Sequence, residues 1–253
     1  MSINRKIYIV GAGPGDKDLI TLKALKILKQ ATYVLVDDLV NQEVLSFCPQ
    51  AQIVNIGKRG GCLSTPQEFI NRLMVSRGKT EEVIVRLKGG DPFIFGRGGE
   101  EIQYLNAHGI DVEVIPGITS AMGIAAKHQF PLTHRDMVQG VTFITGHTIR
   151  ENSVNWGALV QSKTTLAIYM GLKNIQKIIT SLAESGMNKF MPVVIVQDGL
   201  RKNEQFIKTT FDSLSIIAKE LNQDLPTIFF IGEVAGLASN QQLLERKNLR
   251  EFG

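Results

Sequence analysis

An alternation of apolar runs and helical patterns along the first half of the chain constrains the fold most. Five short apolar runs indicate buried strands, at residues 6–10, 33–36, 52–56, 83–85 and 111–115. Helices are predicted between them, at about 21–30, from about 66 to 76, and up to about 108. Strand and helix alternating in this way is typical of a parallel sheet covered by helices and joined by right-handed crossovers.

The second predicted helix has an explicit start signal. Thr65-Pro66-Gln67-Glu68 has the pattern of a capping box, in which the Thr65 and Glu68 side chains satisfy the first backbone N–H groups. Pro66 would then occupy the first helical position, where a missing N–H costs nothing. The pattern predicts a helix from this box to about Ser76.

The second half of the chain has a different pattern. Its predicted helices lie at 118–127, 174–185 and 212–221, and its strands at 141–145, 165–169, 192–196, 205–209 and 227–231. Only eight residues separate the third and fourth strands, which is too few for a helical crossover and predicts an antiparallel pair. We therefore predict two α/β domains divided at Pro116-Gly117: an N-terminal parallel sheet at 1–115 and a mixed sheet at 116–253.

Composition excludes several classes of protein. The chain is 43% hydrophobic and 21% charged, and no apolar run approaches the roughly 18 residues of a spanning helix. The N-terminus lacks a signal-peptide pattern, so a cytoplasmic protein without a membrane partner is expected. The net charge of +4 comes without a Lys/Arg run, which argues against nucleic acid as partner. The spacing of Cys48 and Cys62 is no metal motif, and no metal is predicted.

The stretch from Arg86 to Glu101, RLKGGDPFIFGRGGEE, predicts a ligand-binding loop. It follows a strand and contains Asp91-Pro92 and five glycines, Gly89, Gly90, Gly96, Gly98 and Gly99. Glycines this dense permit positive φ and a close approach of ligand to backbone. Open α/β sheets bind ligands at the carboxyl ends of their strands, which is where this loop would lie.

A second glycine motif, Gly11 to Asp16, follows the first strand and has some features of a dinucleotide fingerprint. Asp16 at its sixth position would repel a pyrophosphate, and Pro14 lacks an N–H to bind phosphate, so NAD and FAD are disfavoured. Asp16, Asp37 and Asp91 each follow a predicted strand. Such carboxylates suit hydroxyls or a cationic ligand, although each could instead cap a turn.

Seven motifs, in this order, resemble the tetrapyrrole methylase family: Gly11–Asp16, Gly57–Arg59, Arg86–Glu101, Pro116–Ser120, Pro131–Arg135, Thr145–His147 and Tyr169–Gly171. The resemblance runs from about Lys6 to Glu233 and is strongest to members that act on uroporphyrinogen III. It implies two α/β domains with the active site in the cleft between them, usually in a homodimer. It also implies transfer of methyl groups from S-adenosylmethionine to two ring carbons, C2 and C7. The products would be precorrin-2, for sirohaem or cobalamin, and S-adenosylhomocysteine.

The resemblance also implies roles for individual residues. Asp37 and Lys58 match the proton acceptor and donor of the family. Cofactor contacts carry over onto Pro14, Gly89, Gly90, Asp91, Ile94, Thr119, Ser120, Met170 and Gly199. A substrate with eight carboxylates requires cations, and the candidates are Arg59, Arg97 and Arg135, with Arg86 and Lys88 as further possibilities.

One stretch departs from the family pattern. After Gly199 the family usually has a Gly-Thr or Gly-Ser pair and then a Gln-Arg pair, whereas this chain reads Gly199-Leu200-Arg201-Lys202-Asn203-Glu204-Gln205. This puts side-chain contacts after Gly199 in doubt but leaves a backbone contact at Gly199. Two alternatives stay open: a related cobalt-precorrin methylase, and a nucleotide-binding regulatory module with a degenerate site.

Overall fold

The computed structural model describes residues 6–57, 65–79, 83–147 and 154–239. The chain divides into two compact units, Met1–Gly123 and Ile124–Gly253. This division falls within the helix Ser120–Lys127, whereas the predicted domain boundary at Pro116-Gly117 precedes that helix and stays a prediction.

The first unit is built on a five-stranded sheet whose strands all run parallel. The strands are β1 (Lys6–Gly11), β2 (Tyr33–Val36), β3 (Gln52–Asn55), β4 (Ile84–Lys88) and β5 (Asp111–Ile115). Their order in the sheet is β3-β2-β4-β1-β5, and each neighbouring pair is parallel. The predicted parallel sheet is confirmed, and the carboxyl ends of β4, β1 and β5 lie side by side.

Helices cover both faces of this sheet: α1 (Leu22–Leu28), α2 (Gln67–Arg77), α3 (Gly98–Ala107) and the start of α4 (Ser120–Lys127). Alternate strand residues point to opposite faces. Val10, Val34 and Val85 pack with Leu28 of α1. Ile9 and Leu35 belong to a second cluster, which includes Met74 of α2 and Leu105 of α3.

The predicted capping box at the start of α2 is wrong. The helix begins at Gln67, its cap is Pro66, and no side chain there makes a capping hydrogen bond. Pro66 has an extended ψ of 136°, and its carbonyl accepts the Phe69 N–H. Thr65 therefore lies one residue too early to serve as the cap, and proline does not occupy the first helical turn.

The predicted end of β4 is also corrected. The sequence pattern ended the strand at Val85 because a charged residue follows, but β4 continues to Lys88, paired with Gly11 of β1. Arg86, Leu87 and Lys88 are therefore buried strand residues, and the glycine loop begins only at Gly89.

The second unit has a mixed sheet of β6 (Val141–Thr145), β7 (Thr165–Tyr169), β8 (Pro192–Gln197), β9 (Gln205–Thr210) and β10 (Thr227–Ile231). The order is β6-β7-β10-β8-β9, in which β6 and β7 are parallel and the other pairs antiparallel. The predicted β8–β9 pair is confirmed. Helices α6 (Ile175–Glu184) and α7 (Phe211–Glu220) pack against this sheet through Leu182 and Leu214. The short helix α5 (Trp156–Gln161) was not predicted.

Candidate functional site

Three loops of the first unit meet at the carboxyl ends of β1, β4 and β5. They approach so closely that only glycine fits at two contact points. A Cβ on Gly117 would lie 2.1 Å from the Gly90 carbonyl oxygen, and one on Gly11 would lie 2.6 Å from the Gly117 nitrogen. The backbones of these loops, rather than their side chains, therefore pack directly on one another at this edge of the sheet. We call this arrangement the glycine cradle, formed by Gly11, Gly13, Gly90 and Gly117.

Backbone hydrogen bonds hold the cradle together. The Ala12 N–H donates to the Lys88 carbonyl at 2.7 Å. Gly13 and Gly90 exchange two hydrogen bonds, with N···O distances of 3.3 and 2.8 Å, and both have positive φ, +83° and +67°. The loops after β1 and β4 are thus joined by an isolated antiparallel bridge beyond their parallel strands, without side-chain contributions.

Asn41, which the sequence analysis did not single out, fixes the far side of the first loop. Its side-chain nitrogen donates to the Gly15 carbonyl at 2.7 Å, and its oxygen accepts the Glu43 N–H at 3.1 Å. Pro14, a predicted cofactor contact, is buried beside Gly15. A single amide side chain therefore connects the loop after β2 to the loop after β1.

Asp91 links two members of the cradle. Its Oδ1 accepts the Phe93 N–H at 2.8 Å, and its Oδ2 accepts the Gly117 N–H at 3.1 Å. The alternative that this carboxylate caps a turn is therefore correct, and the carboxylate also joins the loop after β4 to the loop after β5. A role in cofactor binding stays a prediction. Within the described part of the chain, the one hydrogen bond of the Asp16 side chain is the local bond that it accepts from the Asp18 N–H, at 2.9 Å.

Other predicted cofactor residues of the first unit lie at the same edge. A Cβ on Gly90 would contact the Thr119 Cα at 3.8 Å and the Ser120 nitrogen at 4.0 Å. Thr119 is buried, and Ser120 begins α4. The Ile94 N–H donates to the Asp91 carbonyl at 3.4 Å. The structure thus brings Gly90, Asp91, Ile94, Thr119 and Ser120 together, and their role in cofactor binding stays a prediction.

A buried charge cluster lies beneath this edge. Glu101 of α3 is fully buried, and its Oε1 lies 3.1 Å from Arg86 Nε and 3.2 Å from Lys88 Nζ. Gln67 of α2 donates to the same oxygen at 3.0 Å. Because both cations are 2% exposed and paired with Glu101, they no longer qualify as candidate substrate contacts. Burial and the neighbouring Arg86 lower the pKa of the Lys88 ammonium, and Glu101 and Asp37 oppose this shift.

Asp37, the predicted proton acceptor, sits at the outer side of this cluster. Its Oδ2 lies 3.4 Å from Arg86 Nη2 and 3.9 Å from Lys88 Nζ, while 37% of its side chain is exposed. The buried Glu101 fixes the Arg86 guanidinium, which in turn orients the Asp37 carboxylate. The site therefore offers a solvent-accessible carboxylate held by two cations that cannot move toward solvent.

Of the predicted cationic residues, the structure describes Arg97 and Arg135. Lys58 and Arg59 lie outside the described residues. Arg97 has left-handed backbone with φ +59° and pairs with Glu100, Nη2 to Oε2, at 2.6 Å. That hydrogen bond to Glu100 raises the pKa of the already basic Arg97 side chain. Arg135 is exposed in the second unit.

Met170 directly follows β7 in the second unit and is not an ordinary core methionine. Its side chain is 52% exposed and its backbone has φ +51°, a conformation that costs a non-glycine residue about 1–2 kcal/mol. The next residue, Gly171, packs closely on Gly146. A Cβ on Gly146 would lie only 2.3 Å from the Gly171 Cα. Strained, exposed apolar residues of this kind concentrate at ligand sites.

Gly199 lies in the loop between β8 and β9. A Cβ at this position would meet Ile124 Cδ1 at 2.7 Å, so glycine is also required by packing. The residues on either side, Asp198 and Leu200, have positive φ values of 49° and 61°. This loop therefore has three successive residues in conformations or contacts that few side chains tolerate.

Glu204, in the stretch where the chain departs from the family pattern, organises this loop. Its Oε2 accepts the Leu200 N–H at 2.5 Å, and its Oε1 lies 2.9 Å from both His128 Nε2 and Lys127 Nζ. Burial disfavours the charge, but the hydrogen bonds from His128, Leu200 and Lys127 outweigh it and lower the pKa of Glu204 to about 2.

Sequence reasoning missed Glu101, Asn41, Glu204 and His128. None belongs to a motif whose chemistry points to a partner, and Glu101 was noted only as the end of the glycine-rich stretch. The one available signal was the pair of charged residues at alternate positions, Arg86 and Lys88, next to a buried strand. Two cations on a buried strand require a buried anion.

Within the described ranges no group of three or more His, Cys, Asp or Glu side chains is placed to hold a metal ion. Over the same ranges no helix combines the length and apolar character needed to cross a bilayer.

Comparison of the chain with known protein families identifies the class of protein to which this fold and this strand-end site belong. The family Tetrapyrrole (Corrin/Porphyrin) Methylases matches residues 6–215. The chain belongs to this family, so the family and enzyme class predicted from the sequence are confirmed.

Individual relatives agree. The chain is 44% identical over 229 residues to the uroporphyrinogen-III C-methyltransferase of Pseudomonas aeruginosa, covering 90% of this chain and 94% of that protein. A uroporphyrin-III C-methyltransferase from Thermus thermophilus, solved with S-adenosylhomocysteine, is 34% identical with a TM-score of 0.78, covering 92% of this chain and 99% of that one. A cobalt-precorrin-4 methyltransferase is 29% identical with a TM-score of 0.81, covering 92% and 96%.

Proposed function

We propose that this protein methylates uroporphyrinogen III at C2 and C7, using S-adenosylmethionine, and releases precorrin-2 and S-adenosylhomocysteine. The observation that carries the proposal is the 44% identity to a uroporphyrinogen-III C-methyltransferase along 94% of its length. The glycine cradle and the oriented Asp37 carboxylate give that activity a physical basis in this chain. Precorrin-2 would serve sirohaem or cobalamin synthesis.

The cofactor would lie against the glycine cradle. Gly89 is half-buried, whereas Gly90 is buried with its N–H and carbonyl bonded to Gly13. Gly90 would therefore contribute by lacking a side chain, and Asp91 offers a carboxylate for the ammonium group or a ribose hydroxyl. Pro14, Ile94, Thr119 and Ser120 complete the contacts proposed in the first unit. In the second unit Met170 would pack on the adenine, since its thioether is exposed, and Gly199 would contribute its backbone.

The chemistry requires no enzyme nucleophile. An electron-rich pyrrole carbon attacks the sulfonium methyl, a C–C bond forms as the C–S bond breaks, and the electron pair stays on sulfur in S-adenosylhomocysteine. The methylated ring then loses one proton. Asp37 is the proposed acceptor, because its carboxylate is exposed on one side and held by Arg86 on the other. Lys58 is the proposed proton donor. Alignment of the methyl group and carbon supplies much of the rate in such a reaction.

The substrate carboxylates would be received by cations, for which Arg59, Arg97 and Arg135 are the proposed residues. Arg97 is 54% exposed and already paired with Glu100, so a substrate carboxylate would have to share or displace that partner. Exposed ion pairs of this type contribute little free energy on their own. Replacing Glu100 with a substrate carboxylate would therefore cost little free energy. We include in the proposal a homodimer, a cytoplasmic location and no metal requirement.

The deciding experiment incubates the protein with enzymatically made uroporphyrinogen III and methyl-labelled S-adenosylmethionine and counts the methyl groups in the product. Two methyl groups per ring are expected. Turnover of cobalt-precorrins in place of uroporphyrinogen III would favour the cobalt-precorrin methylase. Cofactor binding without turnover of any tetrapyrrole would favour a regulatory module.

Asp37→Asn tests the proton acceptor within the same assay. General-base catalysis contributes about 10²–10⁴-fold, so kcat should fall by about a hundredfold or more. Affinity for S-adenosylhomocysteine should remain within about twofold, because the amide keeps the size of the carboxylate. Asp38→Asn, the exposed neighbour, is the matched control. An unchanged kcat for Asp37→Asn would remove this role.

A further inference from the structure

The loop between β8 and β9 is held by one carboxylate. Glu204 accepts the Leu200 N–H at 2.5 Å across the three residues that separate them, which closes the segment that directly follows Gly199. Asp198 also pairs with Arg201 at 3.4 Å, and the Arg201 N–H donates to the Asp198 carbonyl at 3.2 Å. The carboxylate thus adds a charged acceptor at the backbone N–H that directly follows Gly199.

The loop between β8 and β9 needs such a restraint because its backbone is strained. Asp198 and Leu200 are non-glycine residues with φ of 49° and 61°, and each such conformation costs about 1–2 kcal/mol. Strained backbone of this kind persists only where the surroundings determine it from several sides. The Arg201 N–H donates to the Asp198 carbonyl at 3.2 Å across Gly199 and Leu200, and the Glu204 carboxylate adds a side-chain restraint at the Leu200 N–H.

Glu204 is itself fixed from the end of α4. Lys127 Nζ and His128 Nε2 both lie 2.9 Å from its Oε1. One carboxylate oxygen therefore binds these two side chains, and the other accepts the Leu200 N–H. His128 is only 5% exposed and stacks on Phe206 with ring centroids 4.1 Å apart. Because an ionised carboxylate only accepts hydrogen bonds, Nε2 of His128 carries the proton in this contact.

We propose that Glu204 is a positioning residue for S-adenosylmethionine: anchored by His128 and Lys127, it fixes the Leu200 N–H and so presents the Gly199 backbone to the cofactor. This inference rests on the proposed function, since it assumes a cofactor contact at Gly199.

The test measures S-adenosylhomocysteine binding by calorimetry in the full-length protein. Glu204→Ala should bind at least about tenfold more weakly, because a charge-assisted hydrogen bond is lost and the strained loop is released. Glu204→Gln should bind with an affinity between those of wild type and Glu204→Ala, since its amide oxygen still accepts from Leu200 while its NH2 group meets the donors His128 and Lys127. Glu204→Asp, which keeps the charge but is one methylene shorter, should also bind several-fold more weakly and serves if the alanine variant does not fold.

Two further measurements separate positioning from a general structural role. The Leu200 amide proton should lie far downfield in the NMR spectrum of wild type and move upfield in Glu204→Ala. The KM for uroporphyrinogen III should change by less than about twofold in a variant whose cofactor affinity falls tenfold. Glu184→Ala, at an exposed carboxylate on α6, is the matched control and should change neither quantity.

The outcomes separate this inference from the proposed function. Absence of S-adenosylhomocysteine binding by wild type would overturn the function and this inference with it. Normal wild-type binding with unchanged affinity in folded Glu204→Ala would overturn only the inference. Equal losses for cofactor and tetrapyrrole would likewise overturn it, because they would show a general structural defect.

Discussion

The glycine cradle of the first unit and the Gly199 loop of the second are held by opposite means. In the cradle, backbone bonds between Gly13 and Gly90 join loops that follow parallel strands, and glycines permit the contact. In the Gly199 loop, non-glycine residues adopt left-handed backbone and the Glu204 side chain restrains them. The first design depends on the absence of side chains, and the second depends on the presence of one.

This difference has a physical consequence for mutation. A backbone-to-backbone contact cannot relax when a methyl group is added, because the atoms it meets belong to neighbouring strands. A side-chain restraint can be removed without a clash, but it is sensitive to protonation. The two regions should therefore fail under different changes: the cradle under added volume, and the Gly199 loop under loss of charge.

Gly117→Ala should have the largest effect. The new Cβ would lie 2.1 Å from the Gly90 carbonyl oxygen and 2.9 Å from the Gly11 Cα, which are backbone atoms. Overpacking typically costs about 1–3 kcal/mol and more where nothing can move, so we expect more than about 3 kcal/mol lost from the free energy of unfolding, measured by denaturant titration. Binding of S-adenosylhomocysteine should also be lost.

Gly99→Ala is the control for that substitution, because a Cβ there meets nothing within 4 Å. It lies in α3, where alanine is favoured over glycine by about 1 kcal/mol, so stability should be unchanged or slightly higher. A Gly117→Ala protein as stable as Gly99→Ala would show that the cradle is not tightly packed.

Protonation of Glu204 should have the next largest effect. Its pKa is lowered to about 2 in the folded protein from an ordinary 4.5, so its ionised form stabilises the fold above pH 4.5 and this contribution disappears as pH falls toward 2. The full contribution is on the order of 3 kcal/mol. The difference in unfolding free energy between wild type and Glu204→Gln should be constant from about pH 5 to 7 and shrink below that.

Denaturant titrations of the two proteins between pH 3 and 7 measure this difference. Glu184→Gln should show no such pH dependence relative to wild type, since Glu184 is exposed. A gap between wild type and Glu204→Gln that stays constant down to pH 3 would contradict the hydrogen-bonded, ionised carboxylate described above.

Asp91→Ala should have a smaller effect and tests whether the cradle also needs a side chain. The substitution removes the acceptor of the Phe93 and Gly117 N–H groups. Hydrogen bonds to a charged group contribute about 1.5–3 kcal/mol, so the affinity for S-adenosylhomocysteine should fall about tenfold or more in calorimetry. Asp16→Ala, which loses one local bond, should fall much less. Equal affinities of wild type and Asp91→Ala would mean that backbone contacts alone hold the cradle.

Met170→Gly should have the smallest effect on stability, and in the opposite direction. Glycine adopts φ +51° without strain, so the free energy of unfolding should rise by about 1 kcal/mol. Cofactor affinity should fall, because the proposed contact with adenine is lost. Lys163→Gly is the control: Lys163 is exposed with φ +51°, so it should gain stability without loss of affinity. Unchanged affinity in Met170→Gly would remove Met170 from the proposed site.

Much of the fold was predictable because its signals are local. Apolar runs located the ten strands of the described residues to within a few positions, and the eight-residue spacing indicated the β8–β9 pair. Glycine-rich turns identified the loops that meet at the cradle, since positive φ and close approach favour glycine in the sequence itself. Errors arose where local rules competed, as at Pro66, whose extended backbone displaced the expected cap, and at Arg86, whose charge concealed a strand.

The amino-acid sequence by itself therefore determined the parallel and mixed sheets, the positions of the glycine loops and the family. Only the tertiary structure decided which charges meet. Glu101 and Arg86 are 15 residues apart, and Glu204 and His128 are 76 apart. A carboxylate has no periodicity that reveals its partner, because its energy depends on burial and on the cations that packing brings within hydrogen-bond distance. That packing places Arg86 against Asp37 and Glu204 against the Leu200 N–H. It therefore decides the orientation of Asp37 and the restraint of the Gly199 loop.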